Sequence, residues 1–262
     1  MNHPEVGVKG NSVAAVVASM DGMLGQYACY VSVCESGVEP VGTLENALHH
    51  LLKAFAVRNQ GQYPRRVIVY RDGVADNQFS ELLDKEISAF KNAVMLCGLV
   101  EESLKMSIVV CQKKHHTRLV YQQNGRGEYM NPCVGLCVDS TEGVSNSNSP
   151  LHSISSPVIN EFYLNSHLAV LGTSKPCKYS LIYDEIGFKN AELQLLTYWT
   201  THLYGRCTRG VSYATPAYYA HWAARRGKVL LAAGATNSEL TKCTEQWLDP
   251  KNPNSHSTMY FI

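Results

Sequence analysis

Asp72 stands in the string YRDGV, just past the C-terminal end of the apolar run Arg66–Tyr70 (RVIVY). A carboxylate at such a strand end in an α/β sheet points into the crevice where ligands and metals bind. As the residue before Gly73 it also suits a plain turn. His221 lies in YYAHWAARR, a helical string with aromatic and basic neighbours; the bland reading is a structural histidine, since its second ring nitrogen is easily satisfied. The cations matter as a set. Lys113, Lys114, His115, His116 and Arg118 follow MSIVVC, Arg206 and Arg209 flank Cys207-Thr208, and Arg225, Arg226 and Lys228 follow His221. Grouped at strand and helix ends they suit a concentrated anion site, with arginine fitted to bidentate phosphate contacts. Tyr213, Tyr218 and Tyr219 add hydroxyl donors and stacking surface. Scattered solvated charge is the competing reading.

The whole-chain numbers bound these options. Lys+Arg 23 against Asp+Glu 22 leaves a net charge of +1, which excludes a globally basic nucleic-acid binder and confines any anion site to local clusters. At 262 residues with 45% hydrophobic content, the chain is one large domain or two small ones, with ample core. No apolar run approaches the ~20 residues that cross a bilayer, and MNHPEVGVKGNS lacks the build of a signal peptide, so neither a membrane partner nor secretion is expected. The nine cysteines lack a zinc rhythm, Cys133 and Cys137 coming closest; they read as mostly buried thiols of a cytoplasmic or nuclear protein.

Elements must position the candidates. Ser12–Ser19 reads as a buried strand and Tyr27–Val33 as its antiparallel neighbour. Helical spacing follows at Leu44, Leu48, Leu51, Leu52 and Phe55, then the continuous buried strand Arg66–Tyr70. A second helix carries Phe79, Leu82, Leu83, Ile87 and Phe90. Strands are expected at Met106–Cys111, Val134–Val138, Glu161–Leu164, Leu168–Leu171 and Tyr179–Tyr183. Residues 140–158, rich in Ser, Asn and Pro, read as a long surface loop. One helix is expected from an Asn190 cap to a Gly205 stop, and another from a Thr215 N-cap with Pro216 at its first position. Strands alternating with helices indicate a mixed α/β fold.

Six strings, in order, resemble the Piwi domain of the Argonaute/Piwi family: SVAAVVASMD, YPRRVIVYRDGV, VVCQKKHHTRL, FYLNSHLAVLGTSKPCKY, YGRCTRGVSYATPAYYAHWAARR and MYFI. The resemblance covers the whole chain, residues 1–262, as one domain. It implies an RNase H-like mixed sheet flanked by helices, in which acidic residues and a histidine hold two Mg²⁺ or Mn²⁺ ions for in-line attack on a phosphodiester. Carried over by position, Asp72 and His221 match metal ligands. Glu39 falls where the family's inserted glutamate sits, with Glu35 and Glu45 as nearby rivals. Lys113, Lys114, His167, Lys175, Arg206, Arg209, Ser212, Tyr218 and Arg226 match positions that contact guide-strand phosphates, contacts that set register without reading sequence. Phe261-Ile262 resembles the family's buried aromatic C-terminus.

One family member has no counterpart. The family's first catalytic aspartate stands three residues before the histidine of a D-x-x-H-P string, and here that His-Pro is His3-Pro4, so the aspartate would precede Met1. Asp21 of SMDG matches the end of the next strand instead. The strand that bears the aspartate would lie between Ser12–Ser19 and Arg66–Tyr70, so both inner edges are expected to lack a partner, at roughly 1–3 kcal/mol per buried unpaired group. The expectation is therefore an N-terminally incomplete Piwi domain of a small-RNA-guided silencing protein. It would bind guide RNA, complementary target RNA and silencing-complex proteins, and would not cleave. The alternative is a metal-dependent endoribonuclease whose full gene supplies the aspartate.

Overall fold

A computed structural model describes residues 12–34, 41–122, 127–139, 157–249 and 259–262. Glu35, Glu39 and residues 140–156 of the Ser/Asn-rich segment lie outside the described residues. The elements run β1 (Ser12–Ser19), β2 (Tyr27–Cys34), α1 (Val41–Arg58), β3 (Arg66–Asp72), α2 (Phe79–Leu96), β4 (Lys105–Gln112), β5 (Tyr121–Gln122), β6 (Tyr129–Met130), β7 (Leu136–Asp139), β8 (Asn160–Asn165), β9 (Cys177–Asp184), α3 (Asn190–Thr200), α4 (Thr215–Ala232) and α5 (Asn237–Leu248). They fall into two compact units, one of Met1–Val67, Asp84–Lys105 and Pro216–Ile262, the other of Ile68–Leu83 and Met106–Thr215.

In the first unit β1 and β2 form an antiparallel hairpin in register from Ser12↔Cys34 to Ser19↔Tyr27. Asp21 closes its turn, accepting from the backbone N–H of Gly25 (3.0 Å) and Gln26 (2.9 Å), which gives this aspartate a structural task. Alternation along β2 serves two faces. Tyr30 packs with Met20, Ala47, Leu51, Ala54 and Leu248 in one cluster beneath α1. On the other face Val13 and Val31 receive α4 at Gly227, where a Cβ would come within 2.9 Å and 2.8 Å of their Cγ1 atoms. Close approach of helix and hairpin therefore requires a residue without a side chain. Tyr219 of α4 meets Tyr27 at 4.9 Å and Phe261 at 5.9 Å between ring centroids. Phe261 is buried, as the resemblance implies.

The second unit is built on a five-stranded sheet of order β3-β4-β9-β8-β7. β4 and β9 are antiparallel from Ser107↔Asp184 to Gln112↔Lys178, with an irregularity between Ile108 and Val109. β8 pairs antiparallel with β9 and with β7. Tyr179 centres the core: its ring stacks on Phe162 at 5.1 Å, and its hydroxyl accepts from Ala214 N–H at 3.0 Å. Tyr70 hydrogen-bonds Thr197 of α3 at 3.0 Å.

Several expected elements shift. Among the described residues β1 borders only β2, and β3 borders only β4. Accordingly Val67–Asp72 are half-buried, as is β1 beyond Val13, where the apolar runs predict full burial; a strand with one open edge shields its neighbours less. Leu168–Leu171 is a loop and no strand, with Val170 and Leu171 92% and 95% exposed, because four apolar residues without alternation have no sheet face to occupy. α3 starts from Lys189, whose N–H donates to Glu192 (3.3 Å), and stops at Thr200 rather than Gly205. Its end is set by the Thr200 and Thr201 hydroxyls, which donate to the carbonyls of Thr197 (2.8 Å) and Tyr198 (2.6 Å). α4 does begin at Thr215, but that hydroxyl is buried without a hydrogen-bond partner and does not cap the helix. The strand expected at Val134–Val138 begins two residues later, since Gly135 turns the chain at φ +92°.

Candidate nucleic-acid interface

The second unit gathers its cations where β4 runs out. Gln112, the last residue of β4, donates to the Val74 carbonyl (3.0 Å) and the Asp76 carboxylate (2.8 Å), fastening the turn after β3 beside the β4 end. Lys113 follows at once. Its ammonium donates to the Ser212 hydroxyl and lies 5.3 Å from the centroid of the Tyr213 ring. Burial pushes the Lys113 pKa down and the nearby Lys175 ammonium pushes the same way, while Cys177 and Asp72 work against them. His167 is likewise held below the usual histidine value, by burial first and by Lys113 second. Lys113, His167 and Ser212 thus form one partly desolvated polar group, with Lys175 and Asp72 within electrostatic reach of Lys113. A sequence separation of 99 residues between Lys113 and Ser212 is closed by the fold alone.

Two loops frame this group. In the first, His115 Nε2 donates to the Pro176 carbonyl (2.8 Å), and its ring meets Tyr163 edge-on at 5.3 Å. Asn131 pins the 172–174 turn, donating to Gly172 O (2.8 Å) and accepting from Ser174 N–H (2.9 Å). In the second, the Ser166 hydroxyl donates to Val211 O (2.6 Å), and Val211 N–H donates to Thr201 O (2.9 Å), setting the stretch from Arg206 to Ser212. Gly210 lies so close beneath that a Cβ would sit 2.5 Å from the Ser166 carbonyl. Three buried polar atoms in these loops have no hydrogen-bond partner: His115 Nδ1, His167 Nδ1 and Ser174 Oγ. Buried orphans beside a cationic group are the mark of a site made for a polar ligand or water. Lys114, Lys175, Arg206 and Arg209 are exposed at its margin.

Asp72 does make the turn that the bland reading predicts: its carboxylate accepts from Gly73 N–H (2.7 Å), and Gly73 adopts φ +77°. His221, by contrast, is exposed and not a core residue. It belongs to α4 in the first unit, together with Tyr218, Arg226 and Arg225, whose guanidinium lies 5.2 Å from the Trp222 ring centroid. Glu39 lies outside the described residues. Among those described, no group of three or more His, Cys, Asp or Glu residues is arranged to hold a metal ion. Around Asp72 the second unit offers a lysine where a two-ion centre needs further oxygen donors. The described donor set does not fit that centre. The Ser166 and Asn131 clasps and the backbone pressed against Gly210 escape a reading of the sequence; only the position of Ser166 beside His167 hints at the first.

Comparison with known proteins fits this geometry. The Piwi domain model matches residues 1–231. The chain is 39% identical over 221 residues to putative protein tag-76 of Caenorhabditis elegans, covering 83% of this chain and 20% of that protein. It is 36% identical over 248 residues to protein argonaute 5 of Arabidopsis thaliana, covering 87% and 23%. It thus spans about a fifth to a quarter of the length of these relatives. Among solved structures it is similar to Kluyveromyces polysporus Argonaute with a guide RNA, with a TM-score of 0.75 and 26% identity over 97% of this chain and 31% of that one. That likeness bears out the RNase H-like α/β expectation. By the extent of the family match and the identity to its relatives, the chain belongs to the Piwi domain family.

Proposed function

We propose that the chain serves a small-RNA-guided gene-silencing protein by holding guide-RNA phosphates and the guide–target duplex, without cutting the target. The supporting observation is the Lys113 group. Burial and a second lysine both depress the pKa of the Lys113 ammonium, with Cys177 and Asp72 opposing them in part, and a phosphate oxygen beside it would add a charge-assisted partner. Ser212, His167 and the orphaned Ser174 hydroxyl supply further hydrogen-bonding groups to the same ligand. Arg206 and Arg209 would take adjacent phosphates; Tyr218 and Arg226, on α4 of the first unit, are proposed as phosphate contacts in their own right. Silencing-complex proteins are expected as further partners. The nine free cysteines suit a cytoplasmic or nuclear setting. Divalent-metal chemistry, with Mg²⁺ or Mn²⁺, is general to RNase H-like domains of this kind, and the resemblance assigns it to Asp72, His221 and Glu39; the described residues around Asp72 do not fit it, in keeping with a chain that does not cut.

The test is the affinity of the full chain for a short 5′-phosphorylated RNA, measured against salt. Each phosphate contact contributes a slope of about −0.7 in log K against log salt for single strands. Lys113→Ala should weaken binding to all sequences alike and reduce the slope by about that amount. A slope near zero, or a Lys113→Ala variant with unchanged slope, would sink the phosphate reading. A Mg²⁺-dependent cut made by this chain would overturn the non-cleaving part.

A further inference from the structure

Between Arg118 and Asn131 the second unit carries a ribbon of two short strands, β5 and β6, paired Tyr121↔Met130 and Gln122↔Tyr129. Every described residue from Val120 to Met130 is exposed, so neither face of the ribbon joins a core. A two-stranded hairpin gains little stability of its own in water, and side chains turned to solvent on both faces are ordinarily polar. This ribbon instead presents Val120, Tyr121, Tyr129 and Met130, with Tyr129 71% exposed. Exposed apolar side chains grouped in this way mark a contact surface.

The chain on either side of the ribbon indicates its partner. From Lys113 to Val138 the sequence holds one acid, Glu128, against four Lys or Arg. The strand leaving the ribbon is clasped at Asn131, whose side chain accepts from Ser174 N–H (2.9 Å) and donates to Gly172 O (2.8 Å). Ser174 is buried with an unpartnered hydroxyl, and Lys175 follows it. Two residues of chain, at most about 7 Å, separate Tyr129 from Asn131. The Tyr129 ring is therefore tethered beside a cationic, hydrogen-bonding cluster, which suits a polyanion bearing flat apolar groups better than an apolar protein segment.

We infer that β5 and β6 form a stacking platform, in which the Tyr129 ring, with Gln122 opposite it on the same face, takes an unpaired base of a single-stranded RNA whose neighbouring phosphates lie at the Lys113 group. The inference rests on the proposed phosphate contacts. Stacking on an aromatic ring tolerates any sequence, since every base has a π-face.

The experiment compares the full chain with Tyr129→Ala and Tyr129→Phe, each titrated with a short 5′-phosphorylated single-stranded RNA and with a copy of it bearing abasic residues. Tyr129 is exposed, so both variants should fold. Tyr129→Ala should bind the natural strand roughly 5- to 150-fold more weakly, the measure of one lost stack. Its salt slope should not change, because no phosphate contact is lost. Tyr129→Phe should bind as the parent does, and the abasic copy should bind all three proteins equally. Under ultraviolet light, 5-iodouridine placed along the strand should cross-link to the peptide bearing Tyr129. A parent chain without a salt slope would remove the phosphate contacts and the stacking together. A parent that keeps its slope while Tyr129→Ala binds like it would overturn the stacking alone and leave the ribbon to a protein partner. Equal losses on the natural and abasic strands, a Tyr129→Phe chain as weak as Tyr129→Ala, or cross-linked peptides lacking Tyr129 would each overturn it as well.

Discussion

Gly210→Ala tests whether the loop bearing Arg209 and Ser212 is held by backbone packing. The new methyl would lie 2.5 Å from the Ser166 carbonyl oxygen and 2.8 Å from His202 Nε2. The imidazole is exposed and can swing away; the carbonyl cannot, because Ser166 is fully buried and its hydroxyl is tied to Val211 O at 2.6 Å. Ordinary contact needs nearly 1 Å more room. Gaining it means loosening the Ser166–Val211 and Val211–Thr201 hydrogen bonds, at about 1 kcal/mol each, or accepting overpacking of roughly 1–3 kcal/mol. Against this, alanine stiffens the unfolded chain for a gain of about 0.4–1 kcal/mol. The net loss is about 1.3 kcal/mol, a fall of roughly 3–5 °C in Tm for a domain of this size. Ser212 should leave Lys113, so RNA affinity should fall together with the salt slope. Thermal melts and salt-titrated RNA binding measure both. Adding His202→Ala should recover little. Full recovery in the double variant, or an unchanged Tm in the single one, refutes the assignment of the clash to the Ser166 backbone.

Other outcomes follow from the same structure. His167 has a folded-state pKa below its unfolded value, by burial and Lys113, so the unfolded chain binds more protons as pH falls. Stability should hold above about pH 6.5 and drop below it, and denaturant midpoints of His167→Gln should fall less steeply. RNA binding should show the opposite sign, tightening as pH falls through that range, because a phosphate favours the protonated ring. Gly227→Ala drives a methyl against two stiff β-branched side chains, Val13 and Val31, and should destabilise by roughly 1–2 kcal/mol in chemical denaturation despite its better helix propensity. Thr236→Ala removes the capping box of α5, in which Thr236 Oγ1 accepts from Glu239 N–H (3.2 Å) and Thr236 N–H donates to Glu239 (2.8 Å); about 1 kcal/mol should be lost. In the native chain a thiol reagent should modify Cys133, Cys207 and Cys243 first. Cys29, whose pKa burial pushes up to about 12, should react only on unfolding.

Periodicity carried most of the architecture. The hairpin, α1, the β3–α2–β4 succession and β9 stand where alternation and helical spacing predict, because each apolar pattern has a single face to bury. Patterning failed where that logic weakens. Leu168–Leu171 is apolar yet exposed, so composition there reports no burial. α5 is absent from the sequence reading although Thr236 and Glu239 spell its start; its buried stripe is Leu240, Thr244 and Leu248, and a threonine in the middle dilutes the signal. For the site, the resemblance named the positions of the Lys113 group, and folding supplied their proximity. Nothing in the local sequence says that Lys113 and Ser212 touch, or that Asp72 both closes a turn and feels a lysine. The helix bearing His221 shows why a histidine in an aromatic string is not thereby a core residue.

The partition of the chain also sets an order of events during synthesis. The first unit is assembled from three separated stretches, and its hairpin finds α4 only after Pro216. The second unit is complete by Thr215. At 5–20 residues per second, β1 and β2 emerge roughly 10–35 s before the helix that must cover Val13 and Val31. For that interval one apolar face of the hairpin has no intramolecular cover from α4 or α5, while the five-stranded sheet can already close. Nascent-chain complexes stalled before residue 216 should therefore protect the second unit from proteolysis and leave the hairpin sensitive, a window in which a chaperone, rather than the chain itself, shields Val13 and Val31.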